Sequence, residues 1–439
     1  MSQPTATTTF DEGALAALPE AAGFTGPVRK QAFEEFQALP LPSQETEEWR
    51  YTDVSGLSFD VAPYTPGGRA ADLDGVPGHV LDAAGAVGDR AGLLIQHNSD
   101  VMVAHLDPGL AAAGVRFGDL DAAAAEHPDL IERYLHQLVP TGRTIFTALH
   151  GAYRTGGTFL YVPPDVSVSL PLQSLTYLDA DRAAIFPRTL LIADRGAEVT
   201  FIDRYVSPDL ERALSDAVVE IFAEAGAHVR YVGLQEWGDG VTHLAVQRAR
   251  VGDGARVQSF GVAFGGALSR IEVEVDLVGE RSATELLGVY FGADQQHVDH
   301  RSIQRHIGSR SSSDLLYKGA LKGSSNAIYT GTVVIESGAH ECDAYQTNRN
   351  VLLSEHAKAQ SVPNLEILTD DPTRCGHAAS VGPVSDDELF YLMSRGIPRD
   401  EAERLIVFGF FSEVLDRLDL PEIRGSVERT IEAELTREA

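Results

Sequence analysis

TLLIADRGAEVTFIDRY (189–205) is two short apolar runs broken at the centre by a small-residue turn, and the same design recurs three times downstream. It returns in AVVEIFAEAGAHVRYVGL (217–234), RARVGDGARVQSFGVAF (248–264) and IEVEVDLVGERSATELLGVYF (271–291). The runs are rich in β-branched and aromatic residues, which favour strands. The turns carry Ala197, Ala227, Ala255 and Ala283, spaced by 30, 28 and 28 residues, and a further 28 reaches Ser311. Ala339, Ala357 and Ala378 follow at closer spacing. A fixed period of turn, strand, turn, strand points to a solenoid, in which each coil buries its inner face on the coils above and below. No helical pattern intervenes, so the expected fold is mainly β, with a β-helix-like stack over 155–383. A flat sandwich would also supply regular strands, with turns less alike.

On either side the texture changes. Residues 1–140 read as a mixed domain: VRKQAFEEFQAL (28–39) and HPDLIERYLHQL (127–138) have helical spacing, while GLLIQ (92–96) and VMVAHL (101–106) are strand-like. EEWRYTD (47–53) sets two aromatics among charges. Residues 385–439 read as a helical domain. Ser385 with Glu388 forms a capping box, Gly396 ends that helix, and Pro398 starts a second. The second helix carries Leu405, Ile406, Phe408, Phe410, Phe411, Val414 and Leu415 on more than one face, so it is expected to pack inward and against something else.

The formal charge of -29 is spread along the chain, and lysine occurs only at 30, 318, 322 and 358. A diffuse acidic excess suits a surface kept hydrated in concentrated salt, and it argues against nucleic-acid binding, which needs a basic stripe. No apolar run approaches the ~20 residues that span a bilayer. The amino terminus MSQPTATTTFDEG has no basic or apolar leader segment, so the expectation is a cytoplasmic protein from a salt-loving host.

Nothing matches the phosphate loop GxxxxGK[ST], the GxSxG elbow or the HExxH helix, and the glycines of FGVAFGGALS (260–269) precede no helix. No nucleotide site is expected in this chain. HVDHRSIQRH (297–306) holds three histidines, but His300 and His306 would lie roughly 20 Å apart in an extended strand. They are read as structural. Cys342 and Cys375 are the only cysteines, too few for a disulfide framework or a four-sulfur site. Cys375 and His377, two residues apart, cannot complete a metal site alone. If the turns at Ala339, Ala357 and Ala378 stack, His377 lies over His356, Cys375 lies near Ser354, and Cys342 lies on an adjacent coil, a few residues further along its strand. Sulfur and imidazole so assembled suit iron or an iron–sulfur fragment. A small-residue turn with buried thiols explains the same residues without a metal.

The segment ECDAYQTNRNVLLSEHAKAQSVPNLEILTDDPTRCGHAASVGPVSDDELFYLMSRGIPRDEA (341–402) closely resembles the SufD family, the scaffold subunits of the SUF iron–sulfur cluster assembly machinery. EEWRYTD, TALHGAYRTGGTFLYVP (147–163) and HVDHRSIQRHIGSRSSSDLLYKGAL (297–321) extend the resemblance over most of the chain. NRNVLLS, Pro363, LEI, Asp370-Asp371 and CGHAA follow the SufD pattern rather than that of the sister subunit SufB, although the usual CSHGAT reads CGHAAS here.

The resemblance implies a central right-handed parallel β-helix between terminal helical regions and a non-catalytic scaffold role. It implies pairing with a SufB-like subunit through the β-helix and one SufC-like ATPase held on the C-terminal helices; a homodimer is a further possibility. The cluster or iron is implied to be transient and shared with the partner. His377 is implied as the iron ligand or cluster-site residue, with Cys375 beside it. Cys342 is implied by a SufB-like position for the cluster-building cysteine, so a SufB-like role is the alternative. A β-helix enzyme acting on polysaccharide would need paired carboxylates or calcium, for which Asp370 and Asp371 are the nearest acidic pair. A self-associating structural solenoid would show no iron dependence.

Overall fold

The computed structural model describes residues 9–21, 23–55, 60–68, 72–85 and 89–436. Residues 1–8, part of the segment read for a leader, lie outside that set, as do 437–439. The core is a parallel β-solenoid of about 8 turns. Each coil contributes one strand to an 11-stranded sheet and the next to a 10-stranded sheet, so strands two apart in sequence are neighbours in space. In the first sheet Asn326–Ile335 lies between His297–His306 and Lys358–Ile367; in the second, Asp343–Leu352 lies between Ser312–Leu321 and Arg374–Pro383. All these pairings are parallel.

Alternation along each strand sends one set of side chains into the lumen and the other outward. The lumen is filled by apolar columns including Val199, Val229, Val257, Phe201, Tyr231, Leu286 and Leu315. The outer face of the second sheet is also apolar. Ile202, Val232, Phe260, Leu287 and Leu316 are covered by the helices Arg399–Leu415 and Pro421–Thr436 through Val407, Phe411, Val414, Ile423 and Val427. The outer face of the first sheet is covered by the N-terminal region. Leu120, Ile131 and Tyr134 pack on Phe159, Leu190, Val218 and Phe222, and Phe10, Phe36, Trp49 and Phe146 pack near Phe186, Leu214 and Leu244.

EEWRYTD is a docking strap. The Trp49 ring sits 3.9 Å from the Arg270 guanidinium, and the Glu48 carbonyl accepts hydrogen bonds from Arg270 and Arg301, each at 2.9 Å. Thr52 donates to Asp299 at 2.6 Å and lies 3.0 Å from the His297 ring. The strap therefore ties the N-terminal region to coils far along the chain. His306 is structural, held between Ser311 and Ser313 at 2.8 Å each.

The helix expected over 127–138 stops at Tyr134. The cause is Glu220, fully buried and ion-paired with Arg188, whose carboxylate accepts the backbone N–H groups of His136, Leu138 and Val139 at 2.7–2.9 Å. Those donors are taken by the sheet and cannot continue the helix. In the C-terminal helices, Ser385 accepts from the Glu388 N–H, one half of the expected capping box, and Gly396 takes φ +84° at the helix end.

The two ends of the solenoid differ. At the start, Gly92–His97 and Thr158–Val162 are followed outward by the short antiparallel strands Asp100–Leu106 and Arg116–Asp119. At the finish, Lys358–Ile367 and Arg374–Pro383 are the last strands of their sheets, and no described element pairs with their outer edges.

Candidate functional site

The candidate site lies on that last coil. In Asp343–Leu352 the lumen-facing residues Ala344, Gln346, Asn348 and Asn350 are buried. Their ladder partners in the last strand are Cys375, His377, Ala379 and Val381. These continue the lumen columns but have no coil above them, so Cys375 is half-buried and His377 exposed. The other last strand repeats this: Ala359, Ser361, Pro363, Leu365 and Ile367 stand over Ala327, Tyr329, Gly331, Val333 and Ile335 and remain partly or fully exposed. Ile367, Leu368 and Val381 are exposed by 42%, 59% and 41%. The end of the solenoid is thus an open cross-section: two unpaired strand edges around an uncapped core, with His377 on it.

The stacking inferred from the alanine series is corrected by the ladder. Ala357 belongs to the opposite corner, where the N–H of Lys358 reaches the Ser325 carbonyl and that of Asn326 reaches the Gln296 carbonyl. Ala378 lies within a strand, and the fourth turn position is Ser282 rather than Ala283. His377 therefore stands over Gln346, not His356, and Cys375 over Ala344, not near Ser354. His356 is on the far corner of the coil.

Cys342 also sits differently. It is not along its strand but immediately before it, in a corner column aligned with Ala197, Ala227, Ala255, Ser282 and Ser311. It is 0% exposed, lies 3.3 Å from the Ser311 hydroxyl, and packs with Val333, Ile335, Ala339 and Ala344. Cys375 is the partly buried neighbour of that cluster, and burial pushes its thiol up from the ordinary range. A protonated thiol is a poor ligand until a metal or a positive group draws off its proton. Cys342 and Cys375 thus join one packing cluster, while His377 lies two residues further along the same lumen face.

A feature missed in the sequence is the corner itself. Early turns are short, as at 194–197 and 224–227, whereas 336–342 and 368–373 are longer. The longer pair projects His340 and Asp371, whose side chains meet at 2.8 Å with Asp370 beside them. Asp371 raises the His340 imidazole and is itself lowered by that hydrogen bond. The sequence signal was the extra length between Glu336 and Asp343, which the alanine count passed over.

The donor set on this chain fits only part of an iron or cluster site. An exposed imidazole and a half-buried thiol share one open face, short of the three or four ligands such sites take.

Comparison with known proteins agrees with this architecture. Residues 176–410 match the family model described as SUF system FeS cluster assembly, SufBD core domain, and residues 91–174 match the SufBD protein N-terminal region. The iron-sulfur cluster assembly protein SufD of Bacillus subtilis is 31% identical, covering 92% of each chain. An iron-sulfur cluster assembly SufBD family protein of Staphylococcus saprophyticus is 29% identical over 93% of this chain and 88% of its own, and one of Staphylococcus haemolyticus is 30% identical with the same coverage. A two-sheet parallel solenoid matched along most of its length, flanked by antiparallel strands at its start and ending on two parallel edge strands at its finish, belongs to the SufBD family of the SUF iron–sulfur cluster assembly system.

Proposed function

We propose that this chain is the SufD-type scaffold of a cluster assembly complex, pairing through the open end of its solenoid with a SufB-like subunit. One observation carries this reading: the uncapped last coil. Unpaired strand edges and an exposed apolar core cross-section recruit another β-structure. A second solenoid with its own free end supplies matching edges and covers Ile367, Leu368 and Val381. His377, on this face, becomes a ligand to iron or to a nascent cluster whose other ligands come from the partner. The cluster is cargo, held between chains, and the role is scaffolding rather than catalysis. Cys375 is the second candidate donor. Cys342 contributes only if the corner column opens.

The C-terminal helices support a second contact, with a SufC-like ATPase. Phe390 is 74% exposed, and Tyr391, Met393 and Leu405 are also exposed on the helices Asp386–Ser394 and Arg399–Leu415. Large apolar side chains left exposed on these helices suit a docking surface. Among the described residues no helix is long and apolar enough to cross a membrane. Two free thiols and a charge of -29 support work in a reducing, salt-rich cytoplasm.

The test is anaerobic native mass spectrometry of the complex purified from a salt-loving host, with buffer exchange left to the last step. A second β-helix-sized chain and ATPase subunits carrying iron and sulfide are expected. A metal-free homo-oligomer without ATPase would overturn the scaffold reading.

A further inference from the structure

At the start of the solenoid, far along the chain from His377, three side chains from three elements converge. His79 comes from the helix Gly78–Ala84, His97 ends the strand Gly92–His97, and Asp179 follows the strand Leu172–Tyr177. The His79 Nε2 lies 3.1 Å from one Asp179 carboxylate oxygen and the His97 Nε2 2.8 Å from the other. One ligand atom from each lies within 4.8 Å of the other two.

We propose that His79, His97 and Asp179 form a binding site for a divalent transition-metal ion of the Zn2+, Fe2+ and Co2+ class. Two imidazoles and one carboxylate are a donor set these ions accept. The spacing fits. With metal–ligand bonds of ~2.1 Å, adjacent ligands stand ~3.0 Å apart in an octahedron and ~3.4 Å in a tetrahedron. The two N···O separations, to different oxygens of Asp179, lie near the octahedral value, and an ion can enter as the carboxylate and imidazoles turn to face it.

The carboxylate is also preset. The Asn98 side-chain N–H donates to Asp179 at 3.2 Å, while its carbonyl oxygen accepts the backbone N–H groups of Asp179 and Ala180 at 3.0 and 3.1 Å. Asn98 adopts φ +56° to do this, and its own N–H binds the Tyr177 carbonyl at 2.6 Å. This is the outer-shell support that orients ligands in metal sites. The Tyr177 ring lies beside both imidazoles, with centroids at 5.3 and 6.1 Å. His79 is more than half exposed, so the remaining coordination positions face solvent.

A bound ion would fasten the helix Gly78–Ala84 to the first coil. It is separate from the cluster site and does not depend on the scaffold reading.

The experiment is Co2+ titration of the full chain, without a polyhistidine tag, carrying His340→Ala, Cys375→Ser and His377→Ala to remove donors at the other end. Visible d–d absorption and bound metal per chain are read together. The expected result is one Co2+ per chain, lost in His97→Ala and in His79→Ala and weakened at least tenfold in Asp179→Asn. Zn2+ should raise the melting temperature of the parent and not of the two histidine variants. His79, at the more exposed position, keeps the test sound if His97→Ala disturbs its strand. Equal stoichiometry and affinity in parent and His79→Ala, or no bound metal in the parent, would overturn the proposal.

Discussion

His377 stands directly over Gln346 in one lumen column, yet Gln346 is buried and His377 is exposed. The difference is one missing coil. His377→Ala removes no buried contact, so its stability should stay within about 0.5 kcal/mol of wild type, as for other surface substitutions. Cluster assembly in cells, read from the activity of an iron–sulfur reporter enzyme, should fall severely. Full activity of this variant would remove His377 from the site.

Leu368→Glu with Val381→Glu places two charges on the open cross-section. Both residues are exposed, so the isolated chain should melt as before. Pairing with the SufB-like subunit should weaken by a factor of ten or more, since burying unpaired charges at an interface is costly. Unchanged co-purification would show that the partner docks elsewhere.

The Cys342 column tests packing against chemistry. Its neighbours below are serine and alanine, so Cys342→Ala should cost about 1 kcal/mol or less, while Cys342→Leu should cost 1–3 kcal/mol by overpacking. In the native chain a thiol reagent should modify Cys375 ahead of Cys342, which reacts only as the protein opens. Two thiols reacting at one fast rate would show that the corner is looser than the ladder implies.

Asp203 gives the pH dependence. It is buried in the lumen, where Thr189, Tyr205 and Tyr231 donate to it at 2.8, 2.9 and 3.2 Å, and burial raises its carboxyl from 3.8 to about 6. Between those values the folded state holds a proton that the unfolded state releases, so stability falls as pH rises through this window and levels off above 6. Asp203→Asn should therefore stabilise the protein at pH 8 by on the order of 2–3 kcal/mol. The gain should shrink as pH falls from 6 toward 4. Urea midpoints for both proteins across pH 4–8 would measure it, and parallel profiles would contradict a buried charge.

The repeat was readable because burial enforces it. Every coil needs small residues at its tight inner corner and alternating apolar residues in its strands, so Ala197, Ala227 and Ala255 announce the stack. Register was less readable. Two corners of one coil select the same small residues, and nothing local distinguishes Ala357 on one side from Ala339 on the other. The later turns also lengthen, carrying Cys342 into the column that a fixed period assigns to alanine. The truncated helix after Pro128 was hidden for another reason: Glu220, more than eighty positions away in sequence, captures its N–H groups. The CGH segment was legible as chemistry but not as geometry, because its exposure comes from a coil that is absent rather than from any residue present.

That asymmetry of ends also limits growth. A parallel stack with two open ends would polymerise into fibrils, each chain templating the next. Here the outermost strands at the start, Asp100–Leu106 and Arg116–Asp119, run antiparallel to the coils, so a parallel edge from the finish of another copy meets no continuing parallel ladder there. On the proposed pairing, association by the last coil would end after a single step, and the same edge chemistry that drives amyloid elongation would be confined to a discrete pair.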